Sequence, residues 1–218
     1  VIVLALTMNL GGCTHLKGWF AGEDEIGLIH GDKPLSGEIR PVNYELSMHL
    51  DPAQPGFSGR ARITLDVRSP QSVIDLHGEG LSIDGAFVQD PLGSQAADIS
   101  YGDRGSIRLR LKKPVEKGRI NIVLTYRGAL NSVPGGAYRI REGKEWYIFT
   151  HFAPASARRA FPCFDQPNFK TPFSLTLHVP ASMMAVGNAP IARREERNGK
   201  AIVHFEPTKP LPTYLLAL

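Results

Sequence analysis

Residues 57–67 read FSGRARITLDV, and their alternation decides the fold class. Phe57, Gly59, Ala61, Ile63, Leu65 and Val67 occupy one phase of a two-residue period, and Ser58, Arg60, Arg62, Thr64 and Asp66 occupy the other. Successive side chains of an extended strand point to opposite faces, so this pattern describes a half-buried strand with one apolar and one polar side. Upstream, Tyr44, Leu46, Met48 and Leu50 alternate with Glu45, Ser47 and His49; downstream, Ile107, Leu109 and Leu111 alternate with Arg108 and Arg110. The same pattern and β-branched content predict further strands at about 72–76, 81–88, 119–127, 145–152, 173–179, 183–187, 200–206 and 212–218. DPAQPG (51–56), DPLGS (90–94), KKPVEKG (112–118) and SVPGGA (132–137) supply the fixed or positive φ that chain reversals need. No window sustains a 3.6-residue apolar repeat. The best helical candidate is the short PASARRAF, with Pro154 at a first-turn position. Many short strands joined by turn signals imply an all-β, antiparallel sandwich or barrel.

A chain of 218 residues with 42% hydrophobic content can bury a sizeable core as one domain. The formal charge is +4, but Lys and Arg are interleaved with Asp and Glu rather than gathered in a stripe, which argues against nucleic-acid binding. The run Arg193, Arg194, Glu195, Glu196, Arg197 cancels most of its own charge and reads as a solvated turn. With only Cys13 and Cys163 present, no disulfide framework is implied.

The opening VIVLALTMNLGGC contains an apolar run too short to span a bilayer, of the length of a signal-peptide core. Leu10, Gly11, Gly12 and Cys13 resemble a bacterial lipobox, in which the cysteine receives a diacylglycerol. The expected organisation is a cropped signal peptide at 1–12, a lipidated, Gly-containing tether at 13–37 and a β domain at 38–218. That organisation places the protein at a bacterial cell envelope, anchored to the membrane through Cys13 and facing the periplasm or the exterior.

Catalytic motifs are absent. None of the seven histidines is followed by Glu, so the His-Glu-x-x-His of a zinc hydrolase helix does not occur. Neither a Gly-x-Ser-x-Gly elbow nor a phosphate-binding loop is found. His49, His178 and His204 fall on the polar phase of their strands and read as solvated surface residues rather than ligands. Cys163 is the one candidate nucleophile of the body. Its neighbours Phe161, Pro162 and Phe164 would desolvate the thiol and raise its pKa, which favours a packed structural role. Asp165 has backbone N–H groups and the nearby Arg158 and Arg159 available as partners. Arg158 and Asp165 are the candidate structural brace, because an unpaired buried carboxylate costs several kcal/mol. Pro162, Pro167 and Pro172 each fix φ and stiffen this stretch.

The segment ARRAFPCFDQPNFKTPFSLTLHVP (157–180) resembles the signature of the N-terminal domain of aminopeptidase N-type zinc metallopeptidases, the gluzincin aminopeptidases. PVNYELSMHLDP and FSGRARITLDV resemble that domain's first strands, GGAYRI its Gly-x-Tyr turn, and PLPTYLLAL its closing strand. The resemblance runs from about Pro41 to Leu218. It implies a saddle-like, all-β domain, itself without cofactor or metal, that packs on a thermolysin-like catalytic domain holding zinc. That catalytic domain, its His-Glu-x-x-His and its Gly-x-Met-Glu-Asn loop are expected beyond Leu218. The parent enzyme would remove N-terminal residues from peptides, with this domain supporting the catalytic one and walling the first substrate subsite; alternatives are a non-catalytic interaction module or an epoxide-hydrolysing relative. The family's subsite loop often reads Thr-Gln-Phe-Glu-Pro; here it is Thr150, His151, Phe152, Ala153, Pro154. His151 and Ala153 are therefore the candidate subsite positions. An alanine cannot pair with a substrate's ammonium, so one charge-assisted contact is missing from this domain.

Overall fold

The computed structural model describes residues 34–218. The alternation of β1 (Ile39–His49) and β2 (Gly56–Val67) buries Tyr44, Leu46, Met48, Ile63 and Leu65 almost completely, while Glu45, Arg60 and Asp66 face solvent. The remaining strands are β3 (Gln71–His77), β4 (Ser82–Asp90), β5 (Gly93–Tyr101), β6 (Ser106–Val115), β7 (Gly118–Ala129), β8 (Gly136–Glu142), β9 (Glu145–His151), β10 (Phe173–Pro180), β11 (Ile191–Arg197) and β12 (Lys200–Phe205). Ten of them form one sheet in the order β11-β12-β10-β1-β2-β7-β4-β5-β6-β3, and β8 and β9 form a separate hairpin.

The large sheet turns on β5. Gly93–Ala96 pair with β4, whereas Ala97–Tyr101 pair with β6, so one strand serves two parts of the sheet. The β3 and β6 side chains Ile74, Leu76, Ile107 and Leu109 thereby join the same core as Leu46 and Ile63 from β1 and β2. The result is an all-β sandwich, as the sequence predicts, because strands such as β1, β2, β6 and β10 bury one face only. Pro41 lacks a ladder donor, and the β1–β2 register shifts between Pro41 and Asn43.

Several sequence expectations differ from the structure. β10 lies parallel to β1, with Tyr44 opposite Phe173 and His49 opposite His178. It enters the sheet after the long 152–172 connection, and a parallel pair cannot be joined by a tight hairpin. Residues 183–187 are irregular, and 212–218 hold a 3-10 turn at Thr213–Leu215 rather than a strand. The expected turn at Arg193–Arg197 lies within the edge strand β11, every residue of which is exposed. PASARRAF forms only a 3-10 turn, Ala157–Arg159. The signal peptide, Cys13 and nearly all of the expected tether lie outside the described residues.

Candidate functional site

The signature segment is anchored from both directions. Cys163 and His77 exchange two backbone hydrogen bonds, of 2.8 and 2.9 Å, which tie the segment to the end of β3. On the other side, the Phe164 N–H donates to the Tyr44 hydroxyl at 3.0 Å. Tyr44 stacks on Phe173 at 4.7 Å, and Phe161 meets both rings edge-on. Phe161 to Gln166 are all buried, so the segment is an inner wall of the domain and not a surface loop.

Its polar centre is an ion pair. Arg158 Nε donates to Asp165 Oδ2 at 3.0 Å, with side chains only 4% and 1% exposed. Burying a charge costs several kcal/mol unless its hydrogen-bonding capacity is filled. Here Arg158 also donates to the carbonyls of Asp165 and Arg104, each at 3.2 Å. Asp165 Oδ1 accepts from the Thr213 hydroxyl at 2.6 Å, and the Asp165 N–H donates to His77 Nδ1 at 3.2 Å. The network thus links the 3-10 turn, the signature, β3 and the 3-10 turn at Thr213–Leu215. Arg159, the other arginine beside Asp165 in sequence, pairs outward with Glu79 at 2.5 Å.

Cys163 is fully buried. Burial pushes its thiol well above the ordinary cysteine value and the Asp165 charge adds to the rise, while Arg158 opposes it. A thiol held protonated is a poor nucleophile and a poor metal ligand. Burial likewise pushes the Tyr44 phenol well up.

The candidate subsite loop leaves β9 at the rim. His151, Ala153 and Pro154 are exposed, whereas Phe152 is buried and packs edge-on against Phe161 at 5.8 Å. The plugged Phe152 holds the exposed residues to the same wall as the signature. Thr150 Oγ1 accepts from the Leu218 N–H at 3.0 Å and donates to the Leu218 carbonyl at 3.1 Å, which fixes the loop's upstream end. Beside it, Tyr147, Phe149, Met183, Met184, Val186 and Leu218 line an apolar cavity of about 250 Å³, with Met184 86% exposed.

Among the described residues, no group of three or more His, Cys, Asp or Glu side chains could hold a metal ion. His77, Thr213 and Tyr44 are the members of the buried network that sequence reasoning missed. Thr213 is 48 residues from Asp165 and Tyr44 is 120 residues from Phe164, distances over which no local pattern carries a signal. His77 continues the β3 strand pattern and carries no motif.

A family model for the peptidase M1 N-terminal domain matches residues 40–215. The chain belongs to this family. It is 31% identical over 197 residues to aminopeptidase M1-B of Oryza sativa subsp. japonica, covering 87% of this chain and 22% of that protein. Aminopeptidase N of Acetobacter pasteurianus is 31% identical over 223 residues, 99% of this chain and 62% of the relative. Endoplasmic reticulum aminopeptidase 1 of Homo sapiens is 30% identical over 191 residues, 82% of this chain and 20% of the relative. The chain therefore spans less than two thirds of each of these relatives. The M1 N-terminal match covers residues 150–154, the signature segment and the Arg158–Asp165 pair together.

Proposed function

We propose that this M1 N-terminal domain is the non-catalytic support of a zinc aminopeptidase that removes N-terminal residues from peptides, and that it walls the first substrate subsite with His151 and Ala153. The observation that carries the reading is the exposed His151–Pro154 rim, held by buried Phe152 beside the apolar cavity of Tyr147, Phe149, Met183 and Met184. An apolar surface bordered by polar backbone suits a permanent partner domain. The partner is the zinc-holding catalytic domain of the same enzyme. There, a rigid wall keeps the substrate's amino terminus in place and excludes water, and binding energy is not lost to loop ordering.

Ala153 gives the account its test. In the complete enzyme, Ala153→Glu adds a carboxylate at the rim and should lower KM for aminoacyl substrates about three- to tenfold, equivalent to roughly 0.7–1.4 kcal/mol of added ground-state binding, with kcat changing less. An unchanged KM contradicts the subsite role. Lipid attachment at Cys13 and an envelope location belong to the same proposal and rest on Leu10-Gly11-Gly12-Cys13; the mass of the native, membrane-extracted protein tests them.

A further inference from the structure

The polar face of the large sheet holds a histidine pair for which the support role has no use. The parallel β1–β10 register sets His49 opposite His178, and the two rings stack with centroids 4.0 Å apart and 21° between their planes. His178 Nε2 lies 3.0 Å from Ser47 Oγ, and among the described residues neither ring forms an ion pair with a carboxylate. The pair opens onto a cavity of about 700 Å³ that also receives Lys200, Arg127, Ser58 and Asp51.

The charges around the pair are unbalanced. Arg127 of β7 is neutralised by Asp84 at 2.7 Å, and Asp51 spends one oxygen on the Ala53 N–H at 3.0 Å. From β12 come Lys200 and His204, from β11 Arg197 opposite Lys200, and from β2 Arg60 two residues beyond Ser58. Of the carboxylates on these strands, Glu195 shares the cross-strand row of the pair but is taken by Arg193 at 2.6 Å and stands 3.8 Å from His204, and Glu45 sits opposite Arg62. Burial and then Lys200 lower the pKa of His49; burial and then His49, His204 and Lys200 lower that of His178. Cations that repel one another and outnumber the carboxylates beside them once the imidazoles are protonated define a place where an added anion is stabilised. Once protonated, each imidazolium also donates through both ring nitrogens.

We propose that the cavity over His49, His178 and Lys200 is a proton-gated binding site for a divalent tetrahedral oxyanion, either sulfate or a phosphate ester. Above the titration range Lys200 and Asp51 line the cavity with opposite charges and the site is weak. Below it, two further positive charges face the cavity, and the anion offsets their mutual repulsion. By linkage the bound anion must in turn raise the histidine pKa values. This inference is independent of the aminopeptidase reading.

Sulfate is the suitable probe, because it stays doubly charged across the range and any pH dependence then reports the protein. Imidazole Cε1–H resonances of the 218-residue chain are titrated in sodium sulfate and in sodium chloride at equal ionic strength. Sulfate should raise the pKa of both His49 and His178 by about one relative to chloride and bind about tenfold more tightly at pH 5.5 than at pH 7.5. Lys200→Gln should weaken sulfate binding, and His49→Gln with His178→Gln should abolish its pH dependence. Vesicles of phosphatidic acid in phosphatidylcholine, co-sedimented at pH 5.5, distinguish a lipid-borne phosphate, which would bring the protein down, from a free anion, which would leave it in solution. Equal pKa values in sulfate and chloride, or a sulfate affinity that keeps its pH dependence in the double variant, overturn the proposal.

Discussion

Asp165 shows how one residue can hold four segments. Its carboxylate takes Arg158 on one oxygen and Thr213 on the other, while its own N–H reaches His77. Asp165→Ala leaves a guanidinium that is only 4% exposed without its counter-charge, a change that costs about 3–5 kcal/mol in comparable buried pairs. Urea denaturation should show that loss. The double replacement Arg158→Met with Asp165→Leu should recover more than half of it, since the penalty comes from the orphaned charge and not from the absent pair. A single variant within 1 kcal/mol of the parent, on the order of an ordinary surface change, would contradict the brace. The candidate pair was legible because an aspartate lay among phenylalanines and prolines next to two arginines. Arg158 turns inward to Asp165 while Arg159, its neighbour on the same 3-10 turn, pairs outward with Glu79.

At the level of elements, the parallel seam between β1 and β10 should make stability depend on pH. Burial and neighbouring positive charge hold His49 and His178 below the ordinary histidine value in the folded chain. The unfolded chain, with imidazoles near pKa 6.5, therefore binds more protons as pH falls through that value. Stability is fully present above about pH 7 and declines from about pH 6.5 down to the lowered folded values. Thermal unfolding in chloride buffer should show this decline, and the His49→Gln, His178→Gln double variant should flatten it. An identical slope in the double variant would contradict the assignment. β1, β2 and β6 were readable because each buries one face. β11 was not, because it is exposed on both faces and its run of paired charges, Arg193-Arg194-Glu195-Glu196, carries no two-residue period. The apolar 183–187 stretch misled in the opposite direction: Met184 and Val186 are 86% and 64% exposed, and apolar residues are not confined to cores. The β1–β10 partnership spans the length of the domain and leaves no local trace.

In the whole molecule, a sheet that turns on β5 and closes over one core leaves its chemistry-poor interior fully committed. The buried Arg158–Asp165 network braces segments, the buried thiol fills space, and the residues at the rim present shape and not reactivity. The all-β class and the absence of a catalytic motif followed from alternation and from the histidine contexts. The curl at β5 did not, because GSQAADISY (93–101) is small and polar and only Ala97 in it is buried. The central claim is that these residues support a reaction carried out by a different domain. It is tested most directly by assaying the purified 218-residue chain, incubated with zinc, for bound metal and for hydrolysis of aminoacyl p-nitroanilides, alongside the complete enzyme. The account predicts neither tightly held zinc nor turnover in the chain and both in the complete enzyme; stoichiometric zinc with turnover in the 218-residue chain would contradict it.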